Sequence, residues 1–307
     1  MFIEGKQEWN KFLINVEEEV KLKDFLLDVM EFSTRSVSKM KREQKLFVNG
    51  EFRKPSMMVF PGDVIEIPIE EEMSDFISED LGVKVLYEDF DVVLMDKPPF
   101  MVVHPTKSHF TGTLANHVTN YIEKTGESYK VRFVNRLDMN TSGIVVIAKN
   151  AYAHHILSKD MNDDLMKKEY IAVVDGVVEN DEGTIDLPIM RTSMDSILRS
   201  VDERGQKSVT HYKVLQRMEN ATVLGLVLET GRTHQIRVHL SHIGHGIIGD
   251  ELYGKVDENL IDRQALHAYK IGLNQPRMKN RITVVSELPE DIKNLIEKLG
   301  GKCIDYK

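Results

Sequence analysis

FVNRLDMNTSGIVVIAK, residues 133–149, is the most informative stretch of this 307-residue chain. An apolar approach, Phe133-Val134, runs into Arg136-Leu137-Asp138. Thr141-Ser142-Gly143 follows, then the strand-like run Ile144 to Ala148. Asp, Asn, Thr and Ser bond their own backbone and Gly tolerates tight turns, so the middle reads as a fixed loop between two strands. Loops held in that way tend to present reactive side chains. Arg-Leu-Asp by itself is only a turn with an ion pair; the whole string carries more.

Outward from this loop, VKVLY, DVVLM, GIVVIA, YIAVV, TVLGLVLE and RITVV are β-rich runs. TLANHVTNYI, AYAHHILSKDM, THQIRVHLSHI and PEDIKNLIEKL have helical spacing, the last with Pro289 suited to a helix start. Strands and helices do not alternate strictly, which predicts an α+β fold with a mixed sheet. A smaller unit precedes it. There Leu22, Phe25, Leu26, Val29 and Met30 recur at helical spacing, Ser36 can cap a second helix, LFV-NG-EF reads as a hairpin, and VIEI as a strand.

Charge marks the boundary. Residues 35–54 hold seven basic side chains (Arg35, Lys39, Lys41, Arg42, Lys45, Arg53, Lys54) against Glu43 and Glu51, whereas residues 66–80 hold seven acids and no Lys or Arg. A block of like charge repels itself and reads as a solvated linker. The expected organisation is a small domain over 1–70, an acidic linker over 71–80 and a larger domain over 81–307. A fragment starting near Leu81 is then expected to fold alone.

Composition removes several classes. The net charge is −9 with 41% hydrophobic residues, and no apolar run approaches the roughly 18 residues that cross a membrane. MFIEGKQEWNKF has acids where a signal peptide carries positive charge, and the one cysteine, Cys303 in a polar tail, closes no internal disulfide. These features predict a soluble cytoplasmic protein. GHGIIG (Gly244, Gly246, Gly249) has dinucleotide-loop spacing but lacks a preceding strand and a following helix, so it reads as a turn. His239, His242 and His245 lack a carboxylate at ligand spacing and read as bonded or phosphate-facing histidines rather than metal ligands. There is no P-C-x-x-C for a zinc deaminase, no phosphate-binding G-x-x-x-x-G-K-[ST], and no suitably placed cysteine for RNA methylation.

At NRLDMNTSG the sequence resembles the RluA-type RNA pseudouridine synthases, and the resemblance runs in order through nearly the whole chain. YEDFDVVLMDKPPFMVVHP (87–105), KKEYIAVVDG (167–176), TGRTHQIRVHLSHIGHGIIGDELYG (230–254) and LHAYKIGL (266–273) match the family's other segments. STRSVSKMKREQKLFVNGEFRKPSMMVFPGD (33–63) is similar, less strictly, to the small RNA-binding module of a small-subunit ribosomal protein. Three positions depart from the family pattern: Asn135 stands where His is frequent, Phe100 where Gly is usual, and Gly246 where Pro is usual.

The resemblance implies a largely antiparallel catalytic sheet, a small N-terminal α/β RNA-binding domain, and isomerisation of uridine in RNA without cofactor or metal. It assigns the catalytic role to Asp138, with Tyr170 stacking on uracil and taking the ring proton. An ionised aspartate kept from bulk water needs a cation beside it; Arg232 is the first candidate and Arg237 the second. Arg136 would fill the space left by a flipped base, and Ile236 would wall the uracil or belong to the core. Arg35, Lys39, Lys41, Arg42 and Lys45 would contact RNA. The expected partner is ribosomal RNA, with transfer RNA open, for a monomer that uses no nucleotide cofactor. A silent RNA-binding or assembly factor is the rival from another class, and the intact Arg136, Asp138, Tyr170 and Arg232 set argues against it.

Overall fold

Ten strands form one sheet in the computed structural model, which describes residues 1–3, 8–69, 73–106 and 108–302. Cys303 and its polar tail lie outside the described residues. The strand order is Glu182–Asp186, Val209–Arg217, Ala221–Leu228, Lys167–Asp175, Leu266–Asn274, Ser142–Ala148, Val92–Lys97 and Lys84–Glu88. Arg281–Val285 also pairs with Leu266–Asn274, and Arg132–Phe133 with Ser142–Ala148. Every pairing is antiparallel except one: Ser142–Ala148 meets Leu266–Asn274 in parallel, at Ser142–His267 and Gly143–Ala268. The mixed, largely antiparallel α+β fold expected from the sequence is the fold observed.

The continuous apolar runs follow from burial on both faces. Val93, Met95, Val145 and Ile147 join the large core with Leu114 and Val118 of helix Leu114–Thr125 and Ile292, Leu295 and Ile296 of helix Glu290–Lys298. Their neighbours Val92, Leu94, Ile144 and Val146 pack on the other face against Ala153 and Leu157 of helix Ala151–Asn162. Alternate residues thus serve opposite layers, as the twofold period of a strand requires.

The N-terminal unit has its own antiparallel sheet, in the order Lys11–Asn15, Val64–Pro68, Phe47–Val48 and Glu51–Phe52. Asn49 and Gly50 take φ of 52° and 84°, the two left-handed residues of the expected tight hairpin. Two local expectations are corrected. The basic helix runs Thr34–Arg42 and is capped by Ser33; Ser36 lies in its first turn and donates its N–H to Ser33 Oγ at 3.1 Å. The segment from Leu22 is a short α-turn followed by a π-turn, Phe25–Val29, and this winding leaves Val29 57% exposed.

The acidic stretch is not a freely solvated linker in its described part. Residues 73–80 have no regular structure, yet Phe76 packs on the large core. Asn116 donates to Ile77 O at 2.8 Å, Ser74 Oγ accepts from Val131 N at 2.8 Å, and Lys124 pairs with Asp80. Polar partners on and beside the adjacent helix overcome the self-repulsion of its acids. The two parts also share a core, because Tyr152 and Ile156 of helix Ala151–Asn162 pack among Phe12, Phe32 and their neighbours.

Candidate active site

Four strands bring one level of the sheet to the decisive loop. Gly143 lies opposite Ala268, Ala268 opposite Tyr170, and Tyr170 opposite Leu226. The register slips between Glu169 and Tyr170, an irregularity of the kind that re-aims a side chain at a site. Gly143 has φ of 112°, and a Cβ there would stand 2.3 Å from Ala268 O. Only glycine permits that approach, which explains Thr-Ser-Gly at the head of the strand.

Asp138 ends the apolar approach to this junction, and buried groups hold the residues that follow it. Lys97, fully buried, donates to the carbonyls of Pro98, Met101 and Met139 at 2.8, 2.8 and 3.0 Å. Burial, with the nearby Arg263 guanidinium, pushes its ammonium down to about 7. Three carbonyls arranged for three N–H groups oppose that shift, because only the charged form has three donors. Arg263 donates to Asn140 O at 3.0 Å while gripping Asp291, and Gln264 donates to Thr141 Oγ1 at 3.2 Å. Ser142 Oγ bonds His267 Nδ1 at 2.9 Å. Sequence reasoning overlooked all four of these residues. Their signal was a polar or charged side chain inside apolar surroundings, as at Lys97 after DVVLM.

The cation beside Asp138 is Arg237, which reverses the expected order. Arg237 Nη1 donates to Asp138 Oδ2 at 2.9 Å, and its Nε and Nη2 grip Asp250 at 2.7 Å each. It lies on helix Gln235–His242, whose residues 235–240 are all buried. A buried guanidinium needs such partners, and the pairs raise its already high pKa. Arg232 precedes the helix on an exposed loop, where its Nε donates to Lys207 O at 3.2 Å. Gln235 staples that loop by accepting from Thr230 Oγ1 and Arg232 N.

A cleft of about 660 Å³ opens above this arrangement, lined by Arg136, Asp138, Lys168, Tyr170 and Arg232 among others. A smaller recess beneath it adds Ile236 and Arg237. Ile236 belongs to both environments: it is 5% exposed, sits in the large core and still walls the recess. Arg136 is exposed at the rim. Burial and the Asp138 charge raise the Tyr170 phenol far above its ordinary value. It therefore carries its proton at neutral pH, and can accept another only while passing its own onward.

Of the remaining expected residues, Arg35, Lys41 and Arg42 are exposed on helix Thr34–Arg42. Lys39 and Lys45 are half-buried and share a small cavity with Arg132, the residue from which the chain enters the cleft at Phe133. His239 is fully buried and bonded to Thr210 and Leu187, and the described residues contain no cluster able to hold a metal. Gly244 and Gly249 have φ of 88° and 78° in turns, with no helix after them. Among the departures from the family pattern, Asn135 bonds the adjacent strand through Ile144 O and Val146 N, and Phe100 takes a left-handed φ of 62° where glycine is usual. Among the described residues no helix is long and apolar enough to cross a membrane.

A carboxylate fixed by a buried arginine, in a cleft rimmed by further cations, suits an enzyme acting on a polyanion. The chain belongs to the RNA pseudouridylate synthase family, whose model matches residues 91–242, and is an isomerase acting on RNA. It is 38% identical over 274 residues to the uncharacterized RNA pseudouridine synthase YlyB of Bacillus subtilis, covering 88% of this chain and 90% of that protein. It is 35% identical over 272 residues to the ribosomal large subunit pseudouridine synthase D of Pseudomonas aeruginosa, covering 84% and 85%. The solved structure of human RNA pseudouridylate synthase domain containing 1 shares the fold, with a TM-score of 0.57 at 22% identity over 73% of this chain and 97% of that one.

Proposed function

We propose that this enzyme isomerises specific uridines in large-subunit ribosomal RNA, as a cytoplasmic monomer without a nucleotide cofactor, and that Asp138 carries the chemistry. The reaction breaks the bond between ribose C1′ and uracil N1, turns the base, joins C1′ to C5 and removes the C5 proton. Asp138 initiates the cleavage, and Arg237 holds its carboxylate in place. Tyr170 stacks on uracil and relays the C5 proton, and Arg136 occupies the space left when the uridine leaves its stack, at a cost of a few kcal/mol. Arg232 contacts the RNA backbone from the exposed rim. The N-terminal unit, residues 1–70, grips RNA through Arg35, Lys39, Lys41, Arg42 and Lys45.

The observation that carries this reading is the 2.9 Å contact by which Arg237 holds Asp138, a residue that lines the cleft together with Tyr170. The names of several relatives, ribosomal large subunit pseudouridine synthase D, support the ribosomal target. Asp138→Asn, near-isosteric but without the negative charge, should abolish isomerisation while leaving fold and RNA binding nearly intact. The test is pseudouridine mapping of total RNA from cells lacking the gene, complemented with wild type or Asp138→Asn. Restoration by Asp138→Asn would refute the role of the aspartate. A mark found only in transfer RNA would refute the ribosomal target.

A further inference from the structure

Arg232 and Thr233, which line the cleft, also line a second cavity of about 340 Å³ to which Asp138 does not contribute. Arg191, Arg199, Arg204 and Arg232 all line it. Two of them face each other across a hairpin, Ile189–Arg191 with Arg199–Val201, in which Arg191 is the direct partner of Arg199. Like charges placed opposite one another in a ladder destabilise it. Their guanidiniums are steadied by carbonyls of the hairpin loop: Arg191 donates to Ser196 O at 2.6 Å, and Arg199 to Ile197 O at 2.9 Å. Arg204 is neutralised by Asp202 at 2.7 Å. Among the described residues no carboxylate lies within ion-pair distance of Arg191, Arg199 or Arg232. Three uncompensated guanidiniums around one cavity, in a chain of net charge −9, form a site that an anion would relieve.

The cavity is built, not draped. Gln206 bridges back to Ile189, and a Cβ on Gly205 would stand 2.5 Å from the Ile189 carbonyl carbon, so the Arg204 turn lies hard against the hairpin. The hairpin is in turn tied to the active site. Arg199 N donates to the Tyr253 hydroxyl at 2.8 Å, and that hydroxyl bonds His234 Nδ1 at 2.9 Å. The Tyr253 ring lies 5.1 Å from the Arg237 guanidinium that holds Asp138. The distance between the arginine cavity and Asp138 is therefore fixed by packed groups.

We propose that this cavity binds a backbone phosphodiester of the RNA beside the target uridine, setting the register of the strand in the cleft. This rests on the reading of the protein as an enzyme acting on structured RNA. A strand with its uridine above Asp138 crosses Arg232 and Thr233, which line both cavities, and lays a neighbouring phosphate among the arginines.

The experiment compares wild type with Arg191→Gln/Arg199→Gln and with Arg191→Lys/Arg199→Lys. Binding to two probes, a transcript of large-subunit ribosomal RNA and a transfer RNA transcript, is measured across a salt series. Loss of one phosphate contact should flatten the log–log slope of the Gln variant by roughly 0.7–0.9 on an RNA that fills the site. The Lys variant, which keeps the charge, should keep the slope. A Gln variant with the wild-type slope on both RNAs would overturn the proposal. An equal loss of slope in the Lys variant would overturn it too, since the hairpin would then have moved rather than lost an ionic contact. Binding needs no turnover, so the site is judged separately from the proposed target: a wrong target would appear as a ribosomal transcript left unmodified by wild type.

Discussion

Arg237 shows how a residue at this site is chosen by burial. The sequence offers Arg232 as the first candidate for the cation beside Asp138 and Arg237 as the second, and nothing in their spacing decides between them. The structure puts that cation on a buried helix face, where Asp138 and Asp250 together hold it. The partner was present in the sequence as the aspartate of GIIGDELYG, but nothing in the spacing connects residue 250 to residue 138. Tyr170 was legible only through resemblance, since a strand tyrosine is usually packing. Its raised pKa sharpens its expected behaviour: Tyr170→Phe should keep the stacking ring and lose the relay. Rapid chemical quench should then show normal cleavage of the glycosidic bond followed by slow loss of the ring proton. Unaltered product formation would remove the proton role from Tyr170.

His267 adds a pH dependence at the same scale. Burial pushes its imidazole down to about 4 from an ordinary 6.5, with Ser142 and Ser286 as its partners. Between those pH values the unfolded chain binds a proton that the native chain refuses, so stability falls as pH drops from about 6.5 to about 4. The loss attributable to this group is on the order of 3 kcal/mol. Urea unfolding of wild type and His267→Gln across that range should show a flatter pH dependence in the variant, and parallel curves would exclude the histidine as the cause.

Among the elements, the strands buried on both faces were easiest to see, because GIVVIA and DVVLM are continuous apolar runs. Lys11–Asn15 and Val209–Arg217 went unseen, since KFLIN is short and VTHYKVLQR mixes polar with apolar residues. The basic helix was expected with Ser36 as its cap, but Ser36 N donates to Ser33 Oγ and the helix starts three residues earlier than that reading placed it. The parallel pairing was not legible at all, because it joins residues more than a hundred positions apart. It depends on Gly143, whose left-handed φ and close contact with Ala268 exclude any side chain. Gly143→Ala should separate the two strands at the Asp138 loop, costing about 2 kcal/mol or more. Activity should fall further than stability alone accounts for. Denaturant unfolding and turnover on the same RNA measure both losses. A variant as stable and as active as wild type would mean that the strands tolerate separation.

At the scale of the whole molecule, the two parts are joined more tightly than their charge pattern implied. Arg277 has a fully buried side chain that pairs with Asp91 at 2.9 Å. It donates to Glu8 O and Lys11 O at 2.8 and 3.1 Å, and lies 4.5 and 4.8 Å from the rings of Phe12 and Phe90. Glu31 adds ion pairs to Lys159 and Lys279. A fragment starting at Leu81 keeps every residue of the cleft but strips Arg277 of two carbonyl acceptors and one ring. It also exposes Tyr152 and Ile156, at about 1.5–3 kcal/mol each. That fragment should melt well below the full chain, and an equal melting temperature would show that the shared core contributes nothing.

Truncation is therefore a poor way to ask whether the N-terminal unit grips RNA, because weaker binding would be confounded with a loosened fold. Neutralising its exposed cations in the full chain isolates the electrostatic question. Arg35, Lys41 and Arg42 are exposed on helix Thr34–Arg42, whose buried residue is Val37. Replacing them with Gln removes three charges and little packing, so stability should hardly change. If each touches a phosphate, every lost contact flattens the salt dependence of binding by roughly 0.7–0.9 in log–log slope, between about two and three units together. RNA affinity measured across a salt series for wild type and the triple variant gives the answer directly. Identical slopes would make this helix a solvated face, and leave the cleft cations to hold the RNA alone.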